Sequence, residues 1–312
     1  MFTRILVPTD FSPASEAALT YAHSVAKLFG STVHVLHVMD NVFLRPVVSD
    51  PHDLKAAALR TLEDRISEMD HHGVRFVAAL ECSDEPADEI TSYARIQDID
   101  LIVMGTHGRT GVAHLLMGSV AERVVQTASC PVVTMHTLPA GAGATNLGIR
   151  RILVPTDFSD PSEAALVYAR GVARRLGASI HLLHVLEDVM PIGTLGSEVF
   201  VADSPASRTA RLNDARDRLA HRVTDYDKSQ HNATFEVVFG NGARTIADYA
   251  ADNDYDLIVM GTHGRKGFGH LVMGSVAEAV VRMAKDPVMT THVAGARDTA
   301  TARNAAAAGA TA

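Results

Sequence analysis

The sequence predicts an α/β protein made of two consecutive copies of one unit, each a parallel sheet flanked by helices. Three observations predict it. The length, 312 residues, is about twice that of a usual domain. The chain also repeats itself. Residues 4–22 (RILVPTDFSPASEAALTYA) and 151–169 (RILVPTDFSDPSEAALVYA) agree at 16 of 19 positions, and residues 104–125 and 260–281 agree at 17 of 22. The two offsets are 147 and 156, so the second copy carries nine more residues between the blocks, expected around Glu187 to Asp225. A period this long marks duplication of a whole domain, not a solenoid. Finally, short apolar runs alternate with stretches of helical period within each copy.

The elements of the first copy follow in order. Ile5-Leu6-Val7 is a continuous apolar run ending at Pro8, which suits a strand buried on both faces. Ser12 before Pro13 reads as a helix N-cap, and Gly30 as the stop after Phe29. Thr32 to Val38 is a second strand, Asp53 to His71 an amphipathic helix, and Val74 to Leu80 a third strand. A helix covers Asp88 to Arg95, Leu101 to Met104 is a fourth strand, Ser119 to Thr127 a last helix, and Val132 to His136 a last strand. Strands alternating with helices give a parallel sheet covered on both faces. Ligands of such sheets bind at the carboxyl ends of the strands, where the strand order reverses. Both repeat blocks lie at such ends, and would meet there if the first and fourth strands are neighbours.

Domains are expected at 1–137 and 151–293, with a Gly-rich linker at 138–150 and a disordered Ala-rich tail at 294–312. Apolar residues make up 47% and charged residues 21%, with mean hydropathy near zero, as in ordinary soluble proteins. No apolar run approaches a bilayer span, and a strand-like run opens the chain, so neither membrane nor signal peptide is expected. Two cysteines, Cys82 and Cys130, make no disulfide framework, and a cytoplasmic setting follows as the simplest. A net charge of −8 argues against a nucleic-acid partner.

The chemistry concentrates in Gly105-x2-Gly108-x9-Gly118-Ser119 and its copy Gly261-x2-Gly264-x9-Gly274-Ser275. Glycines let backbone N–H groups approach an anion, and the following helix adds its positive end. Arg109 and Arg265 sit inside the loops and would screen phosphate charge. The same text fits a purely structural device equally well: Ser119-x2-Glu122 and Ser275-x2-Glu278 are capping-box patterns.

Together, ILVPTDFS after the first strand, LLHV on the second strand of the second copy, and Gly-x2-Gly-x9-Gly-Ser after the fourth resemble the universal stress protein family in its tandem two-domain form. The resemblance implies two Rossmann-like domains with five parallel strands in the order 3-2-1-4-5, and ATP binding, since both copies keep the glycine motif. It further implies that Pro8, Thr9 and Asp10 hold the adenosine end and that Val38 meets adenine through its backbone. Gly105, Gly108, Gly118, Ser119 and Val120 would surround ribose and phosphates. The second set is Pro155, Thr156, Asp157, Val185, Gly261, Gly264, Gly274, Ser275 and Val276. Mg²⁺ would accompany ATP. The last strands, Val132–Thr134 and Val288–Thr290, are expected to pair within one chain, and a homodimer is expected besides.

His34 with His37, and His181 with His184, have metal-like spacing, but i and i+3 on a strand face opposite ways, so packing is the expectation. His107 and His263 lie inside the loops, where a phosphate bond and a loop-fixing bond are both open. The Arg208–Arg222 stretch reads as a solvated helix face. Gly240 and Gly242 replace Asp84 and Pro86 of the first copy, which predicts a second site at least as tight as the first. The expected function is a nucleotide-dependent stress or regulatory protein. A slow ATPase or nucleotidyl or phosphoryl transferase and a nucleotide-free dimerising scaffold are the alternatives; no Walker loop GxxxxGK[ST] is present.

Overall fold

The computed structural model describes residues 1–40, 51–69, 71–106, 117–138, 143, 147–187, 204–262 and 273–292, the side chains of 51–53 excepted. Gly108, Arg109, Gly264, Arg265, His107, His263 and the tail at 294–312 lie outside the described residues. The first half runs β1 (Arg4–Pro8), α1 (Pro13–Phe29), β2 (Thr32–Met39), α2 (Pro51–Ser67), β3 (Arg75–Cys82), α3 (Pro86–Ile96), β4 (Leu101–Gly105), α4 (Ser119–Thr127) and β5 (Val132–Met135). The second runs β6 (Arg151–Pro155), α5 (Asp160–Leu176), β7 (Ser179–Leu186), α6 (Pro205–Arg222), α7 (Asp225–His231), β8 (Thr234–Phe239), α8 (Gly242–Asp252), β9 (Leu257–Gly261), α9 (Ser275–Met283) and β10 (Val288–Thr291).

The strands form one ten-stranded sheet in the order β3-β2-β1-β4-β5-β10-β9-β6-β7-β8. Neighbours within a half are parallel. At the centre β5 and β10 pair antiparallel, with Val133 opposite Met289, so the last strands do meet within the chain. Thr134 Oγ1 donates to Val288 O and Thr290 Oγ1 to Val132 O, which satisfies both buried hydroxyls across this seam.

Side chains alternate across the sheet although the strands read as unbroken apolar runs. Ile5, Val7, Leu101 and Val103 join α1, α2, α5 and α6 in one core; Leu6, Ile102 and Met104 join α3, α4, α8 and α9 in the other. Each core includes residues of both halves. The linker contributes too: Leu147 and Ile149 are buried in the first core, so its last part is docked.

Local signals explain the element ends. Ser12 caps α1 by accepting from Ser15 N, and Gly30 ends it at φ 73°, a left-handed conformation that costs a residue with a Cβ about 1 kcal/mol. The second helix ends at Ser67, short of His71, because the chain turns through left-handed His72 (φ 45°) and Gly73 (φ 83°). The longer second half departs in two places. The connection from β7 to α6 is longer than that from β2 to α2, and the connection before β8 holds the extra helix α7, beyond the stretch the sequence suggested. Among the described residues no helix is long and apolar enough to cross a membrane.

Candidate functional site

The first and fourth strands of each half are neighbours: Ile5 pairs with Leu101 and Leu6 with Ile102, as Ile152 pairs with Leu257 and Leu153 with Ile258. The chain leaves β1 for α1 on one face and β4 for α4 on the other. Their connections diverge and open a crevice at the carboxyl ends, the usual ligand place in open α/β sheets. Pro8 and Gly105 end β1 and β4, Thr9 and Asp10 follow β1 directly, and Gly118, Ser119 and Val120 stand at the start of α4. Pro155, Thr156, Asp157, Gly261, Gly274, Ser275 and Val276 repeat the arrangement. Val38 and Val185 stand near the carboxyl ends of the adjoining strands β2 and β7.

The turn after β1 is tightly specified. Thr9 Oγ1 accepts from Phe11 N and bonds Ser15 Oγ at 3.1 Å, while the Thr9 carbonyl accepts from His37 Nδ1 at 2.7 Å. These bonds hold Phe11 at φ 63°, rare for an aromatic residue and costing about 1–3 kcal/mol. Phe158 repeats the conformation at φ 67°, held by Thr156, Ser162 and His184. Asp10 and Asp157 stand inside these strained turns, directly before Phe11 and Phe158. Asp10 Oδ1 accepts from Ser12 N, and Asp157 Oδ1 from both Ser159 N and Ser159 Oγ. Thr9 and Thr156 therefore shape the turn with their hydroxyls.

The glycines divide by role. A Cβ on Gly105 would lie 2.7 Å from Ala14 Cβ and 2.9 Å from Ala14 C; on Gly261 it would lie 2.7 Å from Pro161 Cβ and 2.8 Å from Pro161 C. Both are bare because the first turn of α1 or α5 packs onto the strand end. Gly118 and Gly274 are the N-caps of α4 and α9, extended at φ −64° and −62°, and each donates its N–H to Thr106 O or Thr262 O. The capping-box expectation is overturned here. Ser119 and Ser275 are the first helical residues, one place too late to cap, and neither helix has a side-chain cap. By contrast Ser12, Ser204, Thr224 and Asn241 cap α1, α6, α7 and α8 with their side chains. As glycines, the N-caps of α4 and α9 offer no side-chain acceptor to the first-turn N–H groups.

Three groups escaped the sequence reading. Thr106 and Thr262, buried at the start of each glycine loop, bond His136 Nδ1 at 2.6 Å and His292 Nδ1 at 3.0 Å. His292 Nε2 donates to Val125 O, so the second loop is tied to helix α4 of the first half. The arginines of α6 are not merely solvated. Arg218 and Arg222 lie over the Phe158 ring at 3.9 and 4.7 Å, Arg208 lies over Phe239 at 3.9 Å, and Arg211 donates to Glu187 O. Finally, a carboxylate follows β7, since Glu187 stands directly past its end. The signal that would have exposed the first group is repetition of polar residues, Thr-His and the distant His, at one offset.

The remaining histidines pack. His34 Nδ1 bonds Tyr93 OH at 2.9 Å on one face, and His37 turns to the other, under Phe11. His181 bonds Thr234 Oγ1 and Tyr249 OH. Burial pushes the pKa of His34 and His181 down. Among the described residues no cluster of three or more His, Cys, Asp or Glu is set to hold a metal ion. Burial raises the Cys130 thiol to about 12, which keeps it inert as a nucleophile.

The sequence model of the Universal stress protein family matches residues 1–136 and 148–292. A universal stress protein of Methanocaldococcus jannaschii is 34% identical over 144 residues, 43% of this chain and 82% of that protein. One from Mycolicibacterium smegmatis is 27% identical over 301 residues, covering 91% of this chain and 95% of the relative. The crystal structure of a universal stress protein from Archaeoglobus fulgidus has a TM-score of 0.65 and 22% identity, covering 94% and 98% of the two chains, a likeness of fold.

Proposed function

The chain belongs to the universal stress protein family, and from that premise we propose that it holds ATP in both crevices and acts as a nucleotide-dependent regulatory protein. The observation that carries the reading is the pair of helices that begin at Gly118 and Gly274 without a side-chain cap, at the crevice where the strand order reverses. A Cβ on Gly118 would stand 3.3 Å from Thr106 O, so the bare backbone lets Gly118 close onto Thr106 at the end of the loop. One helix end contributes only about 0.3–1 kcal/mol toward an anion. Several N–H groups of the loop must act together, with Arg109 and Arg265 beside them and Mg²⁺ carried by the phosphates.

Asp10 and Asp157, in the turns that follow β1 and β6, would face the adenosine end. Val38 and Val185 offer backbone at the far wall. The domains are taken as 1–137 and 151–293. Pairing of β5 with β10 occupies the last strands within the chain, so any homodimer would meet through another surface.

Mass spectrometry of ligand released on denaturing the purified protein tests the reading. ATP or ADP near two per chain supports it; an empty protein that also fails to bind ATP on titration refutes it. Gly118→Val and Gly274→Val should each remove one binding step. The tighter step should belong to the second crevice, where Gly240 and Gly242 replace Asp84 and Pro86; a tighter first crevice overturns that ranking.

A further inference from the structure

Glu187 directly follows β7, two residues beyond Val185, and so points to the same side of the strand. Its Oε1 lies 3.6 Å from the point a Cβ of Gly242 would occupy, and Val276 Cγ2 lies 3.5 Å from that same point. The carboxylate, the first residue of α8 and the first turn of α9 thus share one corner of the second crevice. Arg211 is close by, yet it donates to the Glu187 backbone carbonyl at 3.0 Å and not to the carboxylate. Among the described residues the carboxylate makes no hydrogen bond or ion pair, and it is exposed. The other acid of this crevice differs, since Asp157 already accepts twice from Ser159.

An open carboxylate repels phosphate and accepts only from donors. At the rim of a crevice suited to a nucleotide, the donors that come in a close pair are the vicinal hydroxyls of ribose. An acid at the end of the second strand meets them in this way in dinucleotide-binding sheets. Gly242 keeps the carboxylate reachable, because a side chain there would begin in contact with it. The first half has Pro86 at that place and, after β2, the shorter Asp40.

We propose that Glu187 is a specificity residue of the second crevice, accepting the ribose hydroxyls and selecting ribonucleotides over deoxyribonucleotides. The proposal rests on the nucleotide reading above. Its test is calorimetric titration of the full chain carrying Gly118→Val, which isolates the second crevice, with ATP, 2′-deoxy-ATP and 3′-deoxy-ATP. Each deoxy analogue should bind about tenfold more weakly, the scale of one hydrogen bond to a charged group. Adding Glu187→Ala should weaken ATP to the level of the analogues and erase the difference, and Glu187→Gln should fall between. Equal affinity for ATP and both analogues, or discrimination that survives Glu187→Ala, overturns the proposal. Failure of the unsubstituted protein to bind ATP at all overturns the nucleotide reading itself and is seen separately. Glu187 is exposed, so the fold should survive, and a thermal melt checks it.

Discussion

The two halves share their sheet order and strand-end turns, but they fill one equivalent helix position in opposite ways. His23 on α1 corresponds to Arg170 on α5 at the repeat offset. In the first half His23 is 1% exposed; its Nε2 donates to His71 O, and its Nδ1 has no hydrogen-bond partner among the described residues. His71, His72 and Lys27 stand around it, with Phe76 against its ring. In the second half Arg170 forms a two-pronged pair with Asp227 of α7 at 2.7 and 2.8 Å and donates to Arg222 O. Thr224 completes the carboxylate's bonds from a capping box. The extra helix of the second half thus brings its own counter-charge, and an apolar-leaning junction became an ionic one.

The comparison is broken most strongly at Asp227. Its side chain is 4% exposed, so Asp227→Ala strands the Arg170 guanidinium and should cost about 3 kcal/mol in chemical denaturation. A loss below about 1 kcal/mol would mean the second junction is no stronger than the first. Gly105→Ala and Gly261→Ala should each cost about 1–3 kcal/mol, because each methyl meets helix backbone. Equal values would show that the halves diverged at the junction and not at the strand end.

pH should separate the halves next. Burial pushes the His23 pKa down from its ordinary 6.5, with His72, His71 and Lys27 adding to the fall against the bond to His71 O. The unfolded chain then binds the proton more readily, so this stability is present above about 6.5 and is lost as pH falls below it. Burial opposes the Asp227 charge, but the bonds from Arg170 and Thr224 outweigh it and leave the pKa below its ordinary 3.8. That contribution is present above 3.8 and is lost only below it. Between pH 7 and 5, amide exchange corrected for its intrinsic pH dependence should therefore accelerate around His23 and residues 71–74 while α5 and α7 stay protected. Acceleration in both halves alike would count against the assignment. The smallest effect is expected for His23→Leu, within about 1 kcal/mol at pH 7.5, with loss of the acid-linked change.

Much of this was legible from the chain. Period-two burial hidden in unbroken apolar runs, Ser12 before Pro13, and Gly30 placed the first elements to within a residue or two. Ser119 misled because a capping box and an uncapped Gly-Ser start share the same letters; only the φ and ψ of Gly118 separate them. Gly105 carries a further constraint that the sequence did not show. Its bareness answers Ala14 on a helix distant in sequence, a contact no local pattern carries. The junction at His23 was invisible for the same reason, as its partners arrive from residues 71 and 72. Glu187 was read only as the edge of an insertion.

The seam between β5 and β10 also bears on how the chain is made. Met135 leaves the ribosome more than 150 residues before Val288 does, so the first half is complete while Val132-Val133-Thr134-Met135 still lacks its neighbour. For that interval the nascent protein carries an open apolar edge, which another nascent first half could fill. Closing the seam within one chain is a late, long-range step. Leu147 and Ile149 lie in the core that both halves share, so the end of the linker is buried together with that closure.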